Sequence, residues 1–526
     1  IVEPKYYTMK NQAFRILLIL ASLGLVLMLS SCDLCEILAC CPDPCEAENA
    51  AELPECNPCK RPFEEQTEEE KCDCLQAKVK EREWIIYFTD SVECKDLLPI
   101  DKNGRIDTLK MIENVKKIKE GVSELDTFCQ DKILFFYELA KYGVREKREN
   151  CDCQDFLFEF DSNIEVDPRT AVANAKGKLK HTGGGGVPNV DIEVGPLLIP
   201  PAIDPDTPNV GKREDNLFTV GIVDMGLDYV NQCVDRFALV DPFNKPYGLS
   251  AYNTYNCNPE DIRDFNGHGT HISGIVTLPL KPTQILDSRI NDESLDFITL
   301  LSVKITQQDE IQSDLFAATC GIRKAVQKGA KVLNLSWGFY KELSSFYPSA
   351  IEEELGPLAE AIKVAKQKDV LIVTAAGNDA MNTDLCHHWP SGFSGIPGYE
   401  NVISVAALAA DGKSLAKFSN FGVSSVQIIA PGEDIVSLSP VIEGESRSLD
   451  ADLKLSGTSM AAPFVVKLAA YHFADLTTLR PLADIPYSTL KTRILSTSEI
   501  PVLTRLGTEI NMVLAPLTTP LQEKCD

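Results

Sequence analysis

The chain has 526 residues, 44% of them hydrophobic, and a formal net charge of −26. That length predicts two or three domains, that hydrophobic share excludes global disorder, and so acidic a surface repels phosphate backbones, so no nucleic-acid partner is expected. Its 18 cysteines crowd before residue 155, with only Cys233, Cys257, Cys320, Cys386 and Cys525 beyond, which suits an oxidising compartment.

From Met9 onward, Lys10 and Arg15 precede residues 16–29, which are almost wholly apolar. This is the form of a secretory signal and is short for a spanning helix. Leu29-Ser30-Ser31-Cys32 resembles a bacterial lipobox. The resemblance implies lipidation at Cys32, a membrane partner reached through a multi-chain lipid anchor, and a place in the bacterial cell envelope. An ordinary signal peptide or a single anchor helix is the alternative, and all three put the bulk of the chain outside the cytoplasm. Residues 1–31 are therefore read as signal peptide.

Residues 32–75 form a Cys-rich tether with Cys35, Cys40, Cys41, Cys45, Cys56, Cys59, Cys72 and Cys74. Disulfides or free thiols are expected there. A metal pair at Cys56 and Cys59 is the sharper alternative. Residues 76–162 read as a small α+β unit. Trp84–Phe88 and Phe156–Phe160 are strands. Ile106, Leu109, Ile112, Val115, Ile118, Val122 and Leu125 mark one amphipathic helix, and 127–143 a second. Residues 163–215 read as a linker, with Gly183–Gly186 and prolines at 188, 196, 200, 201, 205 and 208.

Over 216–515 apolar strands alternate with helices. The strands are Phe218–Val223, Leu300–Ile305, Lys331–Leu335, Val370–Ala375, Val402–Ala406 and Val426–Ile429. The helices include Leu315–Lys328 and Pro357–Lys368, and 516–526 is a tail. Alternation with near-continuous apolar strands predicts an α/β fold in three layers, a parallel sheet covered on both faces, with chemistry at the carboxyl ends of the strands. Three motifs stand at such places. Asp224 closes Val220-Gly221-Ile222-Val223-Asp224. His268 sits between glycines in Asn266-Gly267-His268-Gly269-Thr270-His271. Ser459 opens a helix in Leu455-Ser456-Gly457-Thr458-Ser459-Met460-Ala461-Ala462-Pro463. Helix-end N–H groups stabilise an oxyanion beside such a serine, and Pro463 is expected in the first turn.

Asp224, His268 and Ser459, in this order and in these motifs, resemble the subtilisin-like serine proteases, the subtilases. Further matches are Ser302-Val303-Lys304-Ile305, Val332 to Gly338, Ala375-Ala376-Gly377-Asn378, Phe418 to Gly422, Ala430-Pro431-Gly432 and Ile510 to Val513. The resemblance implies a subtilisin-like catalytic domain and a serine endopeptidase acting on polypeptides. Ser459 would be the nucleophile, His268 the base, Asp224 its orienting partner and Asn378 an oxyanion donor. Ser336, Trp337, Gly338, Ala375, Ala376 and Gly377 would flank the pocket for the side chain before the scissile bond. Their small residues leave room for a large apolar group, and Asp379 could instead favour a basic one.

The family often carries a propeptide, so 76–162 is an expected intramolecular inhibitor, the alternative being an unrelated spacer or binding domain. A maturation cut in the following linker would release a soluble enzyme. No cofactor is required for the chemistry. Calcium often stabilises the family, yet the acidic loops after 228 and near 258–264 do not form a recognisable calcium loop. Met225 stands where the family has Ser or Thr, Phe464 where it has His, and Lys467 where it has Gly. His271 is expected to be structural, and Cys386, His387 and His388 a surface loop rather than a metal site. The competing functional readings are a surface lipoprotein using the domain as a binding scaffold, and a highly specific envelope processing protease.

Overall fold

The computed structural model describes residues 58–195, 218–228, 251–278, 297–439, 454–477 and 485–514, apart from short gaps. The signal segment, Cys32, most of the Cys-rich tether, residues 196–217 and the tail lie outside the described residues. Two units are distinguished, 1–74 and 75–526. In the first, Cys59 is bonded to Cys74. That sulfur is therefore not half of a Cys56–Cys59 metal pair, and the disulfide reading holds for it. A short helix, α1 (Glu68–Leu75), runs to the boundary.

The second unit begins with β1 (Val79–Phe88), α2 (Thr108–Lys119), α3 (Thr127–Leu139), β2 (Val144–Arg148), β3 (Phe156–Phe160), α4 (Pro168–Lys176) and β4 (Gly184–Glu193). Asp107, Asp126 and Asp167 each accept a backbone N–H at the start of a helix, and Pro168 opens α4 where a missing N–H costs nothing. Helix α2 is shorter than its apolar spacing suggests. It buries Met111 and Val115, while Leu109 and Ile112 face outward.

The linker expected over 163–215 is corrected by α4 and β4 over its first part, while its residues 196–215 lie outside the described residues. Its glycine run is a strand paired antiparallel with β1, Ile86 opposite Gly186 and Phe88 opposite Gly184. Glycine is needed for the approach. At Gly184, with φ +151°, an added Cβ would come within 2.5 Å of the Tyr87 carbonyl oxygen. The resulting antiparallel sheet runs β2-β3-β1-β4. Trp84, Ile86, Phe136 and Phe158 pack on its helical side.

The rest of the unit carries β5 (Phe218–Asp224), β6 (Ala251–Asn253), α5 (His268–Thr277), β7 (Ile298–Lys304), β8 (Gln312–Asp314), α6 (Leu315–Gln327), β9 (Val332–Leu335), β10 (Phe339–Tyr340) and α7 (Pro348–Gln367). After them come β11 (Leu371–Ala375), β12 (His388–Trp389), β13 (Val402–Leu408), β14 (Ile428–Pro431), β15 (Ile435–Val436), β16 (Lys454–Leu455), α8 (Thr458–Thr477), α9 (Tyr487–Leu495), β17 (Glu499–Leu503) and β18 (Glu509–Leu514). Helix α7 begins before the expected Pro357 and kinks at Leu355.

The main sheet runs β17-β18-β14-β13-β11-β9-β5-β7-β6. Its pairs are parallel except β17 with β18. Strands such as β5, β7 and β13 are buried along their whole length, as a sheet covered on both faces requires. Helices α5 and α8 pack on one face through Ile272, Ile275, Phe464 and Val465. Helices α6 and α7 cover the other through Phe316, Ile322, Ile351 and Ile362. The predicted three-layer α/β architecture is therefore observed.

The front sheet lies on α6 and α7. Ile85, Leu157, Val187 and Val190 share a core with Phe316, Ile351 and Leu355. The Tyr87 hydroxyl donates to the Glu352 carbonyl at 2.8 Å. The buried Arg323 donates to the buried Asp155 at 3.1 Å. Cys153 is bonded to Cys320 of α6. Strand β4 also pairs with β8, Ile192 opposite Ser313, so the front sheet continues into the body of the domain.

Candidate active site

Strand β5 ends in Asp224, and the strand end carries that carboxylate to the N-terminus of α5. Asp224 Oδ1 lies 2.8 Å from His268 Nδ1, and both side chains are fully buried. The Met225 N–H donates to the same oxygen at 2.8 Å, so the position lacking the family hydroxyl still supplies a donor. The turn into α5 depends on Gly269, where a Cβ would meet the Gly226 carbonyl oxygen at 2.2 Å. Burial opposes a charged imidazole here. The Asp224 charge, the hydrogen bond to it and the more distant Asp264 charge outweigh burial, so the His268 pKa stands above its ordinary value.

Asp264 lies in the acidic loop near 258–264, in which no calcium pattern is recognisable. The structure gives it another task. Its two oxygens accept from the backbone of Asn266, Gly267 and Thr270 and from the Thr270 hydroxyl. It thus satisfies the free donors of the helix that carries His268. Burial comes first in pushing its pKa up to about 6, with the Asp224 charge adding to it against those hydrogen bonds. Its neighbour Asp261 accepts from Lys304 Nζ at 2.8 Å. The spacing of an acid four residues before His268 was the available signal. His271 is structural as expected: its Nε2 faces the Ile435 carbonyl at 3.0 Å, and burial pushes its pKa down to about 3.

Ser459 lies in the first turn of α8. Pro463 is in the second turn, not the first. Its missing N–H leaves the Ser459 carbonyl, four residues back, without a helical donor. The Ser336 hydroxyl donates to that carbonyl at 2.8 Å, and Asn334 Nδ2 donates to Ser336 at 2.9 Å. Ser336 therefore fixes the Ser459 backbone as well as lining the cleft. The Ser459 hydroxyl donates to the Ser336 carbonyl at 3.2 Å, while His268 Nε2 has no hydrogen-bond partner among the described residues. A side-chain rotation would be needed to bring the hydroxyl to His268 Nε2.

Asn378 Oδ1 accepts from the Thr458 N–H at 2.7 Å and from the Thr458 hydroxyl at 3.0 Å. Since the backbone donor must meet an oxygen, the Asn378 amide nitrogen is left facing the cleft beside Ser459. This is the arrangement an oxyanion donor requires.

These groups line one cleft of about 660 Å³ with Ser336, Trp337, Gly338, Ala375 and Gly377. Ala376 is not on this lining. It is buried behind it with Ala406 and Phe421. The Trp337 indole is also buried, donating to the Val223 carbonyl at 3.1 Å. His388 lines the same cleft, its ring within 2.2 Å of a Cβ built on Gly338 and 3.2 Å of one built on Gly377. His388 is buried in β12, not part of a surface loop, and Cys386 is disulfide-bonded. Asp379 accepts from the Tyr340 hydroxyl at 2.7 Å. The cleft is also lined by Asp191, Ile192, Val194 and Gly195 of the front region, and a Cβ at Gly195 would come within 2.7 Å of the His268 ring. Of the sequence departures, Phe464 is core, and Lys467 is fully buried with its amine on the Leu278 carbonyl.

A family model described as the subtilase family matches residues 215–511, more than half of the chain. The chain is 30% identical over 210 residues to the intracellular serine protease of Paenibacillus polymyxa, covering 40% of this chain and 54% of that protein. It is 30% identical over 252 residues to the thermophilic serine proteinase of Bacillus sp. (strain AK1), covering 48% and 51%. To Subtilisin-like protease 2 of Plasmodium falciparum it is 27% identical over 252 residues, covering 48% of this chain and 16% of that protein. The match thus spans about half or less of each of these relatives. Among solved structures, a cold adapted subtilisin-like serine proteinase shares 21% identity at a TM-score of 0.40, over 61% of this chain and 96% of that one.

Proposed function

Because the chain belongs to the subtilase family, we propose that it is a serine endopeptidase working through an acyl-enzyme. One observation carries the reading: His268, backed by the buried Asp224, Ser459 at a helix start and the amide of Asn378 meet in one cleft. Ser459 attacks the scissile carbonyl. His268 takes its proton and returns it to the leaving amine, while Asp224 holds the ring and its charge. The Asn378 amide and the Ser459 N–H donate to the oxyanion, and water then releases the acyl group.

The front unit acts as the enzyme's own inhibitor. Support comes from residues 191–195 lining the cleft, from β4 pairing with β8 as an added strand would, and from Gly195 against His268. A lipid-anchored place in a bacterial envelope is proposed from the run Met9 to Cys32 alone.

The test is fluorophosphonate labelling of the full chain, before and after limited proteolysis of the front unit, read by intact mass. One adduct is expected on wild type and none on Ser459→Ala, which should lose peptide hydrolysis by about 10⁴-fold or more while keeping its fold. An unlabelled wild type after proteolysis, or an active Ser459→Ala, would sink the assignment.

A further inference from the structure

We infer that His388 closes the pocket for the residue before the scissile bond, so that this residue must be small: glycine, alanine or serine. The inference rests on the protease reading above and names the substrate class of that site.

The pocket lies between two backbone walls, Ser336 to Gly338 and Ala375 to Gly377. The imidazole of His388 fills the space between their glycines. A Cβ built on Gly338 would come within 2.2 Å of His388 Cε1 and 2.3 Å of Nε2, and one on Gly377 within 3.2 Å of Nε2. The ring is not free to swing away. The Ser391 hydroxyl donates to the His388 carbonyl at 3.0 Å and therefore receives the Nδ1–H of the ring at 2.8 Å. Register fixes the backbone, with Tyr340 opposite His388 and Phe339 opposite Trp389. The Tyr340 ring packs edge-on at 5.0 Å between centroids. Its hydroxyl is held in turn by Asn420 Nδ2 at 2.6 Å and Asp379 Oδ2 at 2.7 Å. Burial pushes the His388 pKa down to about 3, so the plug is neutral at working pH.

A basic side chain fares no better than a large apolar one. Asp379, the acid that would answer it, accepts from Tyr340, and burial pushes its pKa up.

The test compares kcat/KM on one extended peptide series that varies only the residue before the cut, using the form of the chain that takes up one fluorophosphonate adduct. Gly, Ala or Ser should exceed Leu, Phe and Lys by about 10-fold or more, the discrimination that pocket size typically gives. In His388→Gly the Phe-to-Ala ratio should rise by about 10-fold or more. His388→Ser gives the same readout if the glycine variant does not fold, and the wild-type series stands by itself if neither does. A wild-type preference for Phe, Leu or Lys, or an unchanged ratio in a folded His388 variant, overturns the inference. A labelled enzyme with such a preference leaves the protease reading intact. A chain with no adduct refutes that reading and this inference with it.

Discussion

For His268 to act as the base proposed above, its imidazole must be neutral, and its pKa stands above the ordinary value of about 6.5. The sign follows directly. A raised pKa keeps the base protonated to higher pH, so activity on the acid side is lost earlier than for an unperturbed histidine. The acid limb of kcat/KM against pH should fall above about 6.5, and a limb below it would contradict the coupling to Asp224. The motifs around Asp224, His268, Ser459 and Asn378 stood out in the sequence through their resemblance to the subtilases, and three of them are built on glycine turns. Gly267 and Gly269 flank His268, Gly457 precedes Ser459, and Gly377 precedes Asn378. His388 was not legible. Its place depends on β12 meeting β10, a pairing between segments 48 residues apart in the chain, Tyr340 and His388. Ser336 was read only as pocket lining, since its bond to the Ser459 carbonyl depends on a proline 127 positions later in the sequence, Pro463.

At the scale of elements, helix α5 owes its N-terminus to Asp264. Replacing this acid by alanine leaves three backbone donors and one hydroxyl unmet in a buried place, each costing about 1–3 kcal/mol where water cannot reach. Asp264→Ala should therefore lower the melting temperature clearly, and lower turnover by misplacing His268. Thermal unfolding followed beside Ser459→Ala checks it, because Ser459→Ala should lose turnover with little loss of stability. An Asp264→Ala protein as stable as wild type would show the cap to be dispensable. The strands of the main sheet were legible for a plain reason: a strand buried on both faces is an apolar run. Strand β4 was hidden by its glycines. Alone they read as a linker, and only the close approach of β1, which glycine permits, makes them a strand. Helix α2 was misphased because Leu109 and Ile112 are apolar yet exposed.

On the scale of the whole molecule, the front sheet meets the catalytic body through an apolar face, the buried Arg323–Asp155 ion pair and, among the described residues, a covalent bond from Cys153 to Cys320. The sequence showed an excess of cysteines but not this pairing, because 167 positions separate the two. A maturation cut between the front sheet and the catalytic body would break the peptide chain but not this link. The cut protein should run as one band of full mass on a non-reducing gel and as two after reduction. Two bands without reductant would show the bridge to be absent. Retention by such a bridge changes the arithmetic of inhibition. A cut propeptide held only by weak forces leaves on dilution, whereas a tethered one meets its site at an effective concentration of the order of millimolar however dilute the enzyme becomes. Activation of this chain would then depend on thiol exchange or destruction of the front unit, and dilution alone would not bring it about.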